Sequence, residues 1–245
     1  MSIVNRLSIK PILLLAGGFG SRLKSVVPNV PKPLAPVDGK PFLMYLIENL
    51  VSQGAQEFIL LLHYRAELIE ASIAELKRKK NMSSVKITCI IEEIPLGTGG
   101  SIINAIDQLK LNESFLVINA DTWLSGGLQM VNFSTTNTIA GVKVKDFTRY
   151  GSMIKKGKKI IKFIEKDLSA GNGLINAGLY HLDPHIFKGF DKNSFISLEN
   201  DIFPILVSQG ELNVLEVQAD FIDIGIPEDY FKFSDWVKSG KVNEL

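Results

Sequence analysis

The chain has 245 residues, and 27 Lys and Arg against 26 Asp and Glu leave a net charge of +1. That balance provides no basic field for nucleic acid, and no apolar run approaches the roughly 20 residues of a membrane span. The single cysteine, Cys89, excludes an internal disulfide or a cysteine cluster, and the three histidines, His63, His181 and His185, are too scattered for a histidine-rich metal site. The first residues carry a short apolar run that suits a strand better than a signal peptide. A cytoplasmic protein with no nucleic-acid or membrane partner is expected.

In chain order, strand-like runs cover residues 9–16, 56–63, 85–92, 114–119 and 138–144. Helix-like segments lie between them. Residues 41–53 place Phe42, Tyr45, Leu46, Asn49 and Leu50 near helical spacing, with Pro41 suited to a first helical position. Residues 65–80 end in Lys77, Arg78, Lys79 and Lys80, cations that suit a helix C-terminus and a solvated face. Residues 98–109 form a third helix, entered through a glycine-rich turn. This alternation predicts an α/β fold, a Rossmann-like and mainly parallel mixed sheet flanked by helices.

The second half is less regular. Strands are predicted over 151–154 and 159–164, joined by a basic turn, and over 174–182, 212–217 and 220–223. Segments 184–188, 198–209 and 227–237 read as helical. No linker, low-complexity tract or internal repeat interrupts the chain. One domain over 1–245 is the economical reading, with a nucleotide half to about residue 125 and an acceptor half from about 126 that includes a small antiparallel part.

The chemistry starts at the end of the first strand. Leu15 and Ala16 lead into Gly17-Gly18-Phe19-Gly20-Ser21-Arg22-Leu23, and then Pro31-Lys32-Pro33-Leu34. Glycines let backbone N–H groups approach phosphate oxygens without a Cβ in the way. A Walker A loop needs Lys-Ser or Lys-Thr after its last glycine, but Ser21-Arg22 follows Gly20. The dinucleotide fingerprint fails from Gly18, because its third glycine position holds Leu23. Arg22 and Lys32 put two cations on one loop, a pair suited to a triphosphate whose leaving pyrophosphate gathers charge.

Asp121 follows the apolar strand residues Phe115, Leu116, Val117 and Ile118. Ligands of open parallel sheets lie at the C-terminal ends of strands, where a carboxylate suits a hard cation. Asp223 sits between Ile222 and Ile224, where an unpaired charge would be costly to bury.

The combined pattern resembles the sugar-1-phosphate nucleotidylyltransferases, the pyrophosphorylases that make NDP-sugars. Later motifs match in the same order: Pro95–Gly100, Asn119-Ala120-Asp121, Glu165-Lys166, residues 176–180, and residues 221–230. The resemblance covers nearly the whole chain. It implies the nucleotide-diphospho-sugar transferase fold and a Mg²⁺-dependent attack of a sugar phosphate on the α-phosphorus of an NTP. It implies that Leu15, Ala16, Gly17, Gly18, Gly20, Gly97 and Thr98 hold the nucleotide. Arg22 would neutralise the β- and γ-phosphates, Lys32 the α-phosphate, and Asp121 with Asp223 would bind the metal. Asn119, Gly151, Glu165, Lys166 and Asn176 would take the sugar phosphate. Many relatives have Trp or Tyr before the second aspartate and Thr or Trp after it; here both neighbours are Ile. Glu199 and Asp201 read as helix caps, with a place in the sugar pocket as the alternative.

Glu92 stands three residues before Pro95, near the point where uridylyl and thymidylyl relatives often carry a glutamine. Guanine offers two adjacent donors, N1–H and N2–H₂, which an ionised carboxylate accepts. Glu92 is therefore expected to read guanine, and GTP is the expected nucleotide, with UTP or dTTP as alternatives. Residues 22–27 and the Pro-Phe-Leu at 41–43 closely resemble the D-glycero-α-D-manno-heptose 1-phosphate guanylyltransferases. By that resemblance the acceptor is heptose 1-phosphate and the product feeds a bacterial capsule or surface-layer glycan; mannose 1-phosphate is the alternative. With Leu245 last, no C-terminal β-helical domain is expected, and a homodimer is a family-level expectation. Two other classes compete. A metal-dependent glycosyltransferase would leave the glycine loop unexplained, and an inactive nucleotide-sugar sensor would not need Arg22, Lys32, Asp121, Lys166 and Asp223 together.

Overall fold

The computed structural model describes residues 8–164 and 171–242, so Glu165 and Lys166 lie outside the described residues. The strands are β1 Ile12–Leu15, β2 Pro36–Val37, β3 Lys40–Pro41, β4 Glu57–Leu62, β5 Lys86–Ile91, β6 Phe115–Asn119, β7 Thr122–Leu124, β8 Thr138–Val144, β9 Ser152–Lys156, β10 Lys159–Ile164, β11 Gly173–Leu182, β12 Asn213–Glu216 and β13 Phe221–Asp223. The helices are α1 Phe42–Ser52, α2 Ala66–Leu76, α3 Gly97–Leu109, α4 Leu128–Asn132, α5 Phe203–Gln209 and α6 Pro227–Lys238.

Nine strands form one sheet in the order β5-β4-β1-β6-β11-β8-β12-β10-β9. The first four are parallel, as continuous apolar runs with both faces covered require. The two faces belong to two cores. Ile12, Leu14, Phe58, Leu60, Leu62, Leu116 and Ile118 pack on one side with Phe42, Trp123 and Phe233. Leu13, Ile59, Leu61, Phe115 and Val117 pack on the other with Ile102, Tyr180 and Phe203. The alternation is the period of two expected of strands. No helix among the described residues is long and apolar enough to cross a membrane.

The antiparallel part is continuous with this sheet rather than set apart from it. Strand β11 lies antiparallel against β6 on one side and β8 on the other. Strand β9 pairs with β10 and also with β11 through Leu174↔Met153 and Ile175↔Ser152. Strands β11, β8, β12, β10 and β9 thus close into a ring.

Several elements differ from the sequence reading for local reasons. Pro41 is extended at φ −60°, ψ 141°, and precedes α1 instead of starting it. Helix α2 ends at Leu76, so the basic run follows it, and Lys77 Nζ donates to the Ile87 carbonyl at 2.9 Å. The segment 198–209 splits into a π-helical turn, Leu198–Ile202, and α5. Pro204, second in α5, has no N–H to continue one helical register through the joint. Residues 184–187 form a 3₁₀ turn.

Candidate active site

Parallel pairing of β1 with β6 sets Leu15 opposite Asn119. That pairing continues through Ala120 N–H to the Leu15 carbonyl at 3.2 Å, and on the other side of β1 Ala16 N–H donates to the Leu61 carbonyl of β4 at 3.0 Å. The glycine loop and Asp121 therefore leave the sheet side by side at its C-terminal edge. Between them lies a cavity of about 200 Å³, lined by Leu15, Ala16, Gly18, Arg22, Lys32 and Asp121 among others.

The glycines of this loop have different jobs. Gly20 is left-handed at φ +60°, and a Cβ there would lie 2.7 Å from the Lys32 Cβ, so its absence lets the Lys32 stem pass. A Cβ at Gly17 would crowd His63 at 3.3 Å, whereas one at Gly18 would meet nothing within 4 Å. Arg22, in the 3₁₀ turn Ser21–Leu23, is exposed and makes no ion pair with the described residues.

Lys32 begins a second 3₁₀ turn, Lys32–Leu34, whose Pro31 and Pro33 fix the backbone on either side. Its ammonium hydrogen-bonds to the Asp121 carboxylate and lies 3.4 Å from Asp223 Oδ1. Asp223 arrives through the ribbon β7–β13, which pairs Asp223 with Thr122, and through Ile224 N–H on the Asp121 carbonyl at 3.0 Å. Gly225 N–H donates to Asp223 Oδ1 at 2.7 Å.

Burial works against the Lys32 ammonium, but the two carboxylates outweigh it and raise its pKa above the ordinary value. Burial also opposes ionisation of Asp121, yet Lys32 holds that carboxyl below its ordinary value. Asp223 shifts the other way, pushed up by burial and then by the charge of Asp121. Two carboxylates share one ammonium, so the cluster is short of positive charge. Among the described residues no group of three or more His, Cys, Asp or Glu could hold a metal ion. The donor set at Asp121 and Asp223 nonetheless fits a hard divalent cation that takes its remaining oxygens from phosphates in the adjoining cavity.

Among the residues expected to take the sugar phosphate, Asn176 N–H donates to the Gly151 carbonyl at 2.8 Å. A register shift in β11 between Asn176 and Tyr180 re-aims this stretch. The Asn176 amide is largely committed: Oδ1 accepts from Gly178 N–H at 3.0 Å and Nδ2 donates to the Tyr180 hydroxyl at 2.9 Å. Asn119 Oδ1, by contrast, is buried with no hydrogen-bond partner among the described residues. Gly178, at φ +68°, leaves room for Asn119, whose Nδ2 would lie 3.0 Å from an added Cβ.

Glu92, directly after β5, is buried. Its Oε2 accepts the Leu96 N–H at 3.2 Å. Its Oε1 is buried without a partner, because the nearby Ser101 hydroxyl donates to the Gly97 carbonyl at 2.7 Å. Burial pushes this carboxyl above its ordinary value, against the pull of the Leu96 N–H. Oε1 is thus the oxygen left for a guanine donor, while Oε2 already accepts the Leu96 N–H.

Gly97 and Thr98 do not face a free helix N-terminus. The N–H groups of Gly99 and Gly100 donate to the Ile196 carbonyl at 2.8 and 3.2 Å. A Cβ at Gly97, where φ is +76°, would lie 2.5 Å from that same oxygen. Gly97→Ala should therefore cost about 3 kcal/mol and lower Tm by roughly 6–12 °C in thermal denaturation; a shift below about 2 °C would mean that the contact is loose. In the segment 197–201, Ser197 Oγ accepts the Asn200 N–H at 3.2 Å and Asp201 Oδ2 accepts the Ser197 N–H at 2.7 Å. The capping expected of Asp201 is present, whereas the Glu199 carboxylate takes hydroxyl groups instead.

Three features escaped the sequence reading. The β7–β13 ribbon had a weak signal in Thr122 and Trp123, a β-branched and an aromatic residue directly after Asp121. The ion pair of Arg149 Nη2 with Asp229 Oδ2, 2.7 Å, had none, since acidic residues after Pro227 read as helix-start charges. Beside it the Tyr150 phenol is pushed up to about 12 by burial and the Asp229 charge. The contact of residues 194–199 with α3 was hidden because its glycines read equally well as phosphate-binding.

The nucleotidyl transferase family model matches residues 10–239. A D-glycero-α-D-manno-heptose 1-phosphate guanylyltransferase from Campylobacter jejuni is 35% identical over 90% of this chain and 97% of its own length. A mannose-1-phosphate guanylyltransferase catalytic subunit beta from Danio rerio is 33% identical over 89% of this chain and 62% of its own length. The crystal structure of HddC from Yersinia pseudotuberculosis complexed with GMP-PN superposes with a TM-score of 0.80 at 38% identity, covering 93% of this chain and 99% of that one. Glycine loop, Lys32 and carboxylate pair thus stand in a nucleotide-diphospho-sugar transferase fold, and the chain belongs to the nucleotidyl transferase family.

Proposed function

We propose that the chain transfers GMP from GTP to D-glycero-α-D-manno-heptose 1-phosphate, giving GDP-heptose and pyrophosphate. The observation that carries the reading is the meeting of Lys32, Asp121 and Asp223 at the glycine-loop cavity, in a chain whose similarity to a heptose 1-phosphate guanylyltransferase runs nearly end to end. An oxygen of the sugar phosphate attacks the α-phosphorus. The bond to the bridging oxygen breaks, and pyrophosphate leaves with the electron pair. The attacking oxygen is already ionised, so no general base is required. The protein's work is positioning and charge neutralisation.

Leu15, Ala16 and the backbone of Gly17, Gly18 and Gly20 hold the nucleotide. Arg22 neutralises the β- and γ-phosphates, and Lys32 the charge growing on the α-phosphate. Asp121 and Asp223 would hold Mg²⁺, which would supply further charge neutralisation at the phosphate oxygens. Asn119, Gly151, Glu165, Lys166 and Asn176 take the sugar phosphate, Asn119 through its unpartnered Oδ1. Glu92 contributes to guanine preference through its free oxygen, while Gly97 shapes the loop beside the base. The enzyme works in the cytoplasm, and its product serves capsule or surface-glycan synthesis.

The test is pyrophosphate release from GTP, UTP and dTTP, each offered with heptose, mannose and glucose 1-phosphates. GTP with heptose 1-phosphate should exceed every other pair by about 10-fold or more. Mannose 1-phosphate is the second acceptor to watch, given the mannose-named relative. Release with no pair, despite nucleotide binding, would overturn the reading in favour of a nucleotide-sugar sensor. In the same assay Glu92→Gln should narrow the preference for GTP over UTP by about 10-fold, one charge-assisted hydrogen bond's worth; an unchanged ratio would place base readout elsewhere.

A further inference from the structure

The glycine-rich entry to α3 has the composition of a phosphate-binding helix start, but its donors are already engaged. Beyond the two N–H bonds to the Ile196 carbonyl, the Ile196 N–H donates to the Leu96 carbonyl at 2.8 Å. Added Cβ atoms at Gly99 and Gly100 would lie 2.8 Å from Ile196 Cγ2 and 2.9 Å from the Ser194 carbonyl oxygen. These glycines make room for a strap, residues 194–199, that belongs to the acceptor half of the chain.

The strap is tied to the loop by side chains as well. Thr98 Oγ1 accepts the Leu198 N–H at 2.8 Å and donates to Glu199 Oε2 at 2.9 Å. Ser197 Oγ donates to the same Glu199 oxygen at 3.0 Å. Glu199 Oε2 is thereby fixed by two hydroxyls, while Oε1 makes no hydrogen bond among the described residues. Glu199 is half-buried. The turn that carries Glu199 runs directly into α5, whose Phe203 ring packs 5.4 Å from the Tyr180 ring, and the Tyr180 hydroxyl accepts from Asn176 Nδ2. That turn thus adjoins the wall that carries Asn176. With Oε2 engaged by two hydroxyls, Oε1 is left free to accept a donor, and the neutral donor that a sugar-phosphate acceptor brings is a hydroxyl.

We propose that Glu199 is an acceptor-specificity residue whose Oε1 receives a hydroxyl of the sugar, and that Thr98 is the positioning residue that aims it. This deepens the proposed reading and rests on it. It assigns Thr98, a residue of the nucleotide loop by sequence, to recognition of the other substrate. Through the Thr98 hydroxyl the glycine-rich turn of α3 reaches the strap's carboxylate.

The test is steady-state kinetics of Glu199→Gln, Thr98→Val and Thr98→Ser, with KM measured separately for GTP and for the sugar 1-phosphate. Glu199→Gln and Thr98→Val should each raise KM for the sugar 1-phosphate about 10-fold or more, the loss expected of a hydrogen bond to a charged group. KM for GTP and kcat should stay within about 3-fold, and Thr98→Ser should restore the wild-type value. Against a series of monodeoxy sugar 1-phosphates, the wild type should discriminate against one member and Glu199→Gln should not. A Thr98→Val variant that changes KM for GTP alone, or only the melting temperature, overturns the proposal and leaves a structural clasp. If the wild type turns over no sugar phosphate, the catalytic reading fails. Calorimetric titration of the same proteins with the sugar 1-phosphate then decides the Glu199 assignment separately: equal affinities sink it, and a 10-fold loss upholds it.

Discussion

Lys32→Met is expected to lower kcat about 10³-fold, the cost of losing one preorganised donor at a developing phosphate charge, and to destabilise the folded protein as well. The Lys32 side chain is only 11% exposed and is the cation that meets both carboxylates. Removing one partner of a buried pair leaves the other uncompensated. Asp121 and Asp223 keep 32% and 28% of their side-chain surface, so solvent screening reduces the loss to about 2 kcal/mol. Urea denaturation of wild type and variant at pH 7, beside pyrophosphate release, measures both effects. Lost activity with unchanged stability would mean that the ammonium does not rest on the carboxylates in solution.

Asp223→Asn should remove activity to a similar extent and shift stability the other way. Burial and the Asp121 charge raise the Asp223 carboxyl above its ordinary value. A carboxyl raised on folding favours the unfolded state once ionised, so the penalty is present above the folded pKa. It fades as pH falls and is gone below the unfolded value of about 3.9. An asparagine keeps an oxygen for the Gly225 N–H and carries no charge. The variant should gain about 1 kcal/mol at pH 7, seen as a Tm higher by roughly 2–4 °C without added divalent cation. The gain should shrink as the pH of the melt falls toward 4. Asp121 follows the opposite rule: its carboxyl is held low, so its contribution is lost on acidification. A Tm that falls in Asp223→Asn at pH 7 would show that the two carboxylates do not repel one another in the folded protein.

How much of this was legible in the sequence depended on how local the cause was. Strand β1 and its glycine loop are adjacent in the chain, and the apolar run of β6 delivers Asp121 at its end. Both followed from residue type and spacing. The approach of Asp223 to Asp121 depends on the antiparallel pairing of β7 with β13, about a hundred residues apart, and on a register that three-residue strands do not advertise. The glycines of α3 show a second limit. A missing Cβ makes room equally for a phosphate or for a neighbouring chain, and only the position of Ile196 shows that here it is the chain. The burial of Glu92 was not legible, because it depends on the Leu96 N–H that turns the carboxylate inward. The clasp of Thr98 with Glu199 joins residues a hundred positions apart, both of which look like ordinary helix-start residues.

The closed arrangement of β11, β8, β12, β10 and β9 also bears on how the protein behaves when concentrated. A sheet that ends in an unpaired strand offers a template for another copy to add to. The ring removes that template at one end of the sheet. Where the β9–β10 hairpin projects beyond the ring, Lys155, Lys156, Lys158, Lys159 and Lys162 crowd it with like charge. At the other end β5 is the edge strand among the described residues, with the largely apolar sequence Ile87-Thr88-Cys89-Ile90-Ile91. There the Lys77 ammonium occupies the Ile87 carbonyl, an oxygen that an incoming strand would need. Self-assembly by strand addition is thus opposed at both ends of the sheet, by closure and charge at one and by a single lysine at the other.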